Sequence, residues 1–345
     1  MKGLRPRRKV NFMEGFKVQS LSFKVVCRSG GNFPVSPIKG KFKVMGWITF
    51  EWHSTLNFKL GTLNIKLFYF CPMIVFPNAK INIGLNIIAK RPDGFHNLET
   101  IFLPVGWRDA LEYVVGNEVH FSSSGIPISG DPESNLVMKA YRLLQKDFDL
   151  PSLKIHLHKQ IPFGAGLGGG SSDAAFMLTM LNRQFGLNLS KEELELYAAQ
   201  LGSDCAFFIR NSPVFASGRG EIMEPVQLVL NDWFILLVKP PVEVSTVRAF
   251  QLIVPETPKK SLKSLIQLPV QEWKDKVVNQ FESSVFQLYP EIGELKQRLY
   301  NLGAAYASMS GSGSCVFGLF QQLPEKWESQ FSASFLTFSQ KLSIL

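Results

Sequence analysis

Ile161-Pro162-Phe163-Gly164-Ala165-Gly166-Leu167-Gly168-Gly169-Gly170-Ser171-Ser172-Asp173-Ala174-Ala175 is the stretch on which the fold turns. Five of these fifteen residues are glycine. Glycine takes positive φ without steric cost and lets backbone amides approach a ligand closely. An apolar helix is expected directly afterwards, from about Ser172 to Phe185. The free N–H groups and positive dipole end of such a helix attract phosphate oxygens. Ser171 and Ser172 add hydroxyls suited to phosphate or magnesium. The stretch is not a Walker A loop, because no Gly-Lys-Ser/Thr follows. Gly164 to Gly169 do fit Gly-Xaa-Gly-Xaa-Xaa-Gly, but a Pro-containing turn precedes them. No convincing ribose-binding acid follows about 20 residues on. A ligand-free flexible turn is the bland alternative, and so dense a run before a helix argues against it.

On either side of the loop the chain mixes strands and helices. Upstream, Leu153–His158 alternates and reads as a strand, with Leu153, Ile155 and Leu157 on one face. Before it, Asp131 to Asn135 can cap a helix carrying Leu136, Val137, Ala140, Leu143 and Leu144 at helical spacing. Ile74 to Leu85 alternates and reads as a strand pair or a strand and loop. Downstream, Ser190-Lys191-Glu192-Glu193 is a capping-box start for a helix to about Leu201. Val214–Ser217 and Phe234–Lys239 read as strands. Pro255 to Leu268 is a connector rich in Pro, Lys and Ser. Asn301 to Phe320 reads as a Gly-rich turn between strands. Periodicity assigns no element between Leu268 and Asn301. Such a mixture argues for an α/β or α+β enzyme of two lobes. The expected division is 73–225 and 226–345.

The 345 residues carry 37 Lys+Arg, 28 Asp+Glu and a formal net charge of +9. With 46% hydrophobic and 19% charged residues the chain can bury a core, which excludes global disorder. Residues 1–72 hold 13 Lys/Arg and two acids, Glu14 and Glu51, a net of +11; the remainder nets −2. The basic character belongs to the first 72 residues. They contain strand-like pieces, Phe42–Val44 and Trp47–Phe50, of poor periodicity. The folded enzyme is expected to begin near Met73, with 1–72 an extension, poorly ordered or the product of a misplaced start. No apolar run suits a secretory signal. The most apolar stretch, Leu67 to Phe76, is broken by Pro72 and too short for the roughly 20 residues that span a bilayer. A transit peptide would be Arg-rich, acid-poor and Ser-rich; serine is sparse here. The cytoplasm is the expected location, and a plastid the alternative if residues 1–72 are a transit peptide. Cys27, Cys71, Cys205 and Cys315 form no metal-type pair, so buried reduced thiols are expected.

The loop resembles the central motif of the galactokinase, homoserine kinase, mevalonate kinase and phosphomevalonate kinase superfamily. The spelling Gly168-Gly169-Gly170-Ser171-Ser172-Asp173-Ala174-Ala175 is similar to one branch, the 4-diphosphocytidyl-2-C-methyl-D-erythritol kinase family. Two further segments agree with that branch. Pro77 to Leu85, followed by Arg91-Pro92-Asp93-Gly94-Phe95-His96, resembles its opening motif. Ser308 to Phe317 resembles its C-terminal Gly-rich motif. The likeness spans Met73 to about Phe320 and none of residues 1–72.

The resemblance implies a ribosomal protein S5 domain 2-like N-terminal lobe, a ferredoxin-like C-terminal lobe and a cleft between them. It implies ATP with Mg2+, and phosphorylation of the 2-hydroxyl of the cytidylated substrate in the non-mevalonate isoprenoid pathway. It places the catalytic lysine on Lys80, which locally reads as a surface residue in a short loop after a strand. It places the catalytic aspartate on Asp204, which locally reads equally well as a helix cap. ATP is expected on Pro162 to Ser172, with Asn135 and Lys159 at its adenine end; both could equally be a cap and a surface residue. Phe95 would stack on cytosine and His96 hydrogen-bond to its edge, where Tyr is the common family residue at the first position. Asn82, Gly311, Ser312 and Gly313 complete the expected substrate contacts, with a plain tight turn the rival for the last three. Asp173 is expected to be structural, and no metal-ligand set is legible. A different small-molecule kinase of the superfamily is one alternative. A nucleic-acid-binding protein using the basic arm is another, although a body at net −2 offers no basic groove. Neither nucleic acid nor membrane is an expected partner.

Overall fold

A computed structural model describes residues 58–60, 63–65 and 73–343. Strands β1 (Phe58–Leu60) and β2 (Leu63–Ile65) form an antiparallel hairpin, Phe58 opposite Ile65, within a unit of their own. The strand pieces expected at Phe42–Val44 and Trp47–Phe50, and Cys27 and Cys71, lie outside the described residues.

The alternation after Met73 runs further than the sequence pattern suggests. After β3 (Met73–Val75) come two thirteen-residue strands, β4 (Asn78–Lys90) and β5 (His96–Arg108). They pair antiparallel, with register shifts at Asn78/Ala79, Ile83/Leu85 and Ile87/Ala89. Bulges of this kind bend a strand and increase its twist. Next are β6 (Ala110–Val115), β7 (His120–Gly125), α1 (Leu136–Asp147) and β8 (Leu153–Lys159). In β8 the residues Leu153, Ile155, Leu157 and Lys159 are buried and alternate with more exposed ones, the period expected of a strand with one covered face. Then follow α2 (Gly169–Gln184), α3 (Lys191–Ala199), α4 (Cys205–Arg210), β9 (Val214–Gly218) and β10 (Ile222–Pro225). Ser190 and Glu193 close the expected capping box on α3. The order β3-β6-β8-β7 makes one sheet and β10-β9-β5-β4 another.

The remaining chain gives β11 (Phe234–Lys239), α5 (Thr246–Gln251), α6 (Leu262–Leu265), α7 (Phe281–Leu288), α8 (Pro290–Asn301), β12 (Tyr306–Met309), β13 (Val316–Phe320) and β14 (Leu336–Lys341). Their sheet runs β12-β13-β11-β14, antiparallel throughout. Counted within the lobe, that order is 2-3-1-4, the order of a ferredoxin-like sheet. The helical crossover between its third and fourth strands is reduced to one 3-10 turn, Trp327–Gln330. The whole is an α+β fold. One apolar core joins Ile81, Ile83, Ile101 and Leu103 of β4 and β5 to Ile235, Leu237 and Phe317 of the C-terminal sheet. That shared core holds the loop after β8 against the turn between β12 and β13. Among the described residues no helix is long and apolar enough to cross a membrane.

Candidate functional site

Lys80 is the third residue of β4, not a loop residue, and only 3% exposed. Its backbone N–H donates to Leu167 O at 2.9 Å, which ties the strand to the glycine loop. Its ammonium lies 3.3 Å from Asp204 Oδ2, donates to Asn82 Oδ1 at 2.6 Å and sits 4.7 Å from the centre of the Phe102 ring. A buried ammonium persists only with partners of this kind. Asp204 stands immediately before α4, but its backbone is helical and its side chain makes no cap bond. The capping alternative therefore fails, and the carboxylate, a third exposed, turns to Lys80 instead.

Gly164, Gly166 and Gly168 have φ of 56°, 72° and 68°. A Cβ on Gly166 would stand 1.9 Å from Ser310 O, so the loop and the C-terminal turn touch backbone to backbone. Ser314 N donates to Gly164 O, Cys315 N to Ala165 O and Ser310 Oγ to Gly166 O. Gly168 is the N-cap of α2 and offers no side chain to cap it. The first-turn amides of a sixteen-residue helix are thereby left for a ligand, with the positive dipole end behind them. Ser172 Oγ is buried and unpartnered. The Ser171 hydroxyl reaches the Cys205 thiol, which burial pushes up to about 11, so that thiol stays protonated and inert. Cys205 and Cys315 are both buried and free, as expected of reduced thiols.

Gly311 to Gly313 do make a tight turn, and it abuts the loop. Asn279 Nδ2 donates to Met309 O and Gly311 O, and Ser312 Oγ meets Thr246 Oγ1 at 2.9 Å. Asn279 was beyond sequence reasoning, because a lone Asn between Val278 and Gln280 carries no signal.

A cavity of about 350 Å³ opens beside the start of α2, lined by Phe121, Ile128, Asn135, Leu136, Phe163, Gly170 and Asp173 among others. Its size and apolar walls suit a nucleoside. Asn135 lines it and also caps α1, accepting from Val137 N at 2.9 Å. Lys159 is the other residue expected at the adenine end. It is 1% exposed, and its ammonium is held by Asp109 Oδ2 at 2.5 Å and Asp173 Oδ2 at 2.8 Å. The same ammonium lies 5.3 Å from the centre of the Phe163 ring, which lines the cavity. Asp109, invisible to sequence reasoning, also accepts from Gln160 N and Ile161 N and so fixes the entry to the glycine loop. Burial pushes the Asp173 carboxyl up to about 7, Lys159 opposing and Asp109 adding to the shift. Asn82, expected as a substrate contact, is 2% exposed; its carboxamide oxygen accepts from Lys80 Nζ and its nitrogen donates to Thr100 Oγ1.

At the far end of the β4–β5 ladder, Phe95 is 53% exposed, and the Arg219 guanidinium lies 5.0 Å from its ring centre. The His96 ring stacks on Phe250 at 4.8 Å and 19°. Burial, then the charge of Lys90, hold His96 below its ordinary value. Arg219 and Phe250 come from distant segments, and only the fold brings them here. Among the described residues no group of three or more His, Cys, Asp or Glu could hold a metal ion.

Residues 135–212 match the family model of the GHMP kinases N terminal domain, and residues 255–335 that of GHMP kinases C terminal. A 4-diphosphocytidyl-2-C-methyl-D-erythritol kinase of Parabacteroides distasonis is 55% identical over 265 residues, covering 76% of this chain and 98% of its own. One of Bacteroides thetaiotaomicron is 56% identical over 274 residues, 78% of this chain and 100% of its own. A crystal structure of 4-(cytidine 5'-diphospho)-2C-methyl-D-erythritol kinase superposes with a TM-score of 0.62 at 31% identity, over 72% of this chain and 90% of that one. The Streptococcus pneumoniae phosphomevalonate kinase, at 15% identity and a TM-score of 0.56, over 79% of this chain and 99% of its own, shares the fold alone.

Proposed function

The chain belongs to the 4-diphosphocytidyl-2-C-methyl-D-erythritol kinase family of the GHMP kinases, and on that premise we propose that it transfers the terminal phosphoryl group of ATP to the 2-hydroxyl of 4-diphosphocytidyl-2-C-methyl-D-erythritol, a step of the non-mevalonate isoprenoid pathway. The observation that carries the reading is the Lys80–Asp204 pair, tied through Leu167 to an uncapped glycine loop.

The phosphates lie on the amides of Gly169, Gly170 and Ser171, and the nucleoside enters the cavity between Asn135 and Phe163. Asp204 accepts the hydroxyl proton and orients the oxygen. That oxygen attacks the γ-phosphorus, the bond from that phosphorus to the β–γ bridging oxygen breaks, and ADP leaves. Lys80 stabilises the charge on the phosphoryl oxygens. The transition state is loose in most accounts, so placement outweighs basicity.

Magnesium accompanies ATP as a rule. The Asp204 carboxylate and the Ser171 hydroxyl suit it, because this ion needs few protein oxygens and keeps water and phosphate ligands. Bound there, it would draw charge from the phosphate oxygens. At the other end of the cleft, Phe95 offers a ring for cytosine to stack on. Neutral His96 offers one donor and one acceptor for the base edge.

The test is selectivity. Turnover should fall at least 10²-fold, in kcat/KM, when mevalonate or homoserine replaces the cytidylated alcohol, on the scale of lost nucleobase contacts. Comparable efficiency on an acceptor without cytidine would sink the assignment.

A further inference from the structure

We infer that Thr100 is a positioning residue for Lys80: it fixes which way round the Asn82 carboxamide stands, and so where the lysine ammonium rests. The chain of contacts begins at the bulge between Ile83 and Leu85, where Gly84 has φ of 65°. A Cβ there would stand 2.6 Å from Leu262 Cδ1, so both backbone and space call for glycine. The Gly84 carbonyl lies 2.6 Å from Thr100 Oγ1. A carbonyl can only accept, so the single hydroxyl proton of Thr100 is committed to it.

Towards Asn82, 3.0 Å away, Thr100 Oγ1 has only lone pairs left. The amide nitrogen must therefore face Thr100, and the amide oxygen must face the other way. There it meets Lys80 Nζ at 2.6 Å, a group that can only donate. Each end of the chain has one role open to it, and both ends dictate the same amide orientation. The reverse orientation would set two donors against each other at Lys80 and two acceptors at Thr100. Thr100, Asn82 and Lys80 are 0%, 2% and 3% exposed, so bulk water offers them little alternative.

The Asn82 backbone is held by the same logic. Ser310 Oγ gives its proton to Gly166 O at 2.8 Å, and so accepts from Asn82 N at 3.2 Å. Asn82 is thus anchored to the glycine loop through its backbone and to β5 through its side chain. The consequence for chemistry lies in two distances. Lys80 Nζ is 2.6 Å from Asn82 Oδ1 but 3.3 Å from Asp204 Oδ2. The relay keeps the flexible lysine leaning on the amide. Without it, the ammonium settles onto Asp204, the carboxylate that must meet the substrate hydroxyl.

The experiment is steady-state kinetics on the full chain with Thr100→Val and Thr100→Ser, ATP and the cytidylated substrate each varied. Thr100→Val keeps the shape and loses both bonds; kcat should fall about 10-fold or more with both KM values within about twofold. Thr100→Ser restores the hydroxyl and should lie within about threefold of wild type in kcat. A Thr100→Val enzyme with wild-type kcat, or a Thr100→Ser enzyme as slow as it, overturns the relay. If Thr100→Val does not fold, Asn82→Ala takes its place, because it leaves the Thr100–Gly84 bond intact. A fall in its kcat at unchanged acceptor KM supports positioning; a raised acceptor KM at unchanged kcat would mean direct substrate contact and overturn it. The inference rests on the kinase reading, which wild-type turnover tests separately, so a fully active Thr100→Val enzyme would remove the relay alone.

Discussion

Two titrating side chains connect the site to pH. Burial, then the charge of Lys90, hold the His96 imidazole below 6.5, so it is neutral above that pH. As pH falls the ring charges, both nitrogens become donors, and its acceptor for the cytosine edge is lost. The KM for the cytidylated substrate should stay flat from about pH 7 to 8.5 and rise only in acid, below 6.5, and His96→Gln should lack the rise. A wild-type KM indifferent to acid would contradict this. Asp173 works in the opposite sense. Its carboxyl is raised from 3.8 to about 7 in the folded chain, so the native state keeps a proton that the unfolded chain has released. Its contribution to stability is present below about pH 4 and lost as pH rises through about 7. Asp173→Asn has nothing to titrate, so it should gain in urea midpoint relative to wild type between about pH 4 and 7 and level off above. A constant difference would mean Asp173 does not titrate there. Local sequence could show neither group's surroundings. Lys80 passes for a surface lysine because the strand that buries it is continued by bulges, and Lys159 passes for one because its partner Asp109 lies fifty residues upstream.

The elements differ in how plainly their sequence announces them. The glycine loop and α2 were legible, because glycine density followed by an apolar helix has few other physical uses. The caps at Asn135 and Ser190 were legible for the same local reason. The length of β4 and β5 was not, since each bulge shifts the alternation by one residue and hides the period. Helices α7 and α8 went unassigned, although Pro290 at the first turn with Ile292, Leu295 and Leu299 behind it is a usable signal for α8. The loop yields a prediction of its own kind. Gly164 and Gly166 both have positive φ, but nothing lies within 4 Å of a Cβ on Gly164, whereas one on Gly166 meets Ser310 O at 1.9 Å. Gly164→Ala should cost about 1–2 kcal/mol from backbone strain alone. Gly166→Ala should cost about 4 kcal/mol or more, because it forces the loop off the C-terminal turn. Urea unfolding of the two variants decides this, and equal losses would mean that the backbone contact does not matter.

At the scale of the whole chain, the net charge of +9 describes two different parts. The +11 of residues 1–72 and the −2 of the remainder call for separate accounts. The loop, the proposed catalytic pair and the proposed nucleoside cavity all lie between Lys80 and Asp204, and the C-terminal turn meets the loop from the other sheet. We propose that a chain begun at Met73 turns over substrate as the full chain does; a loss of more than about tenfold in kcat would give the basic segment a catalytic part. Fold class was legible because strand and helix patterns mix along the chain, and the kinds of lobe followed from the family resemblance. The pairing of the lobes was not, because it depends on a core contributed by residues about 150 apart, such as Ile81 and Ile235. The measurement that bears most directly on the account is ATP-dependent phosphorylation of 4-diphosphocytidyl-2-C-methyl-D-erythritol by wild type, Asp204→Asn and Lys80→Ala under one set of conditions. Wild type should turn over, and each variant should lose about 10²-fold or more in kcat, the scale of a positioned catalytic group. Near-normal turnover in both variants would contradict the site, and no turnover by wild type would contradict the function.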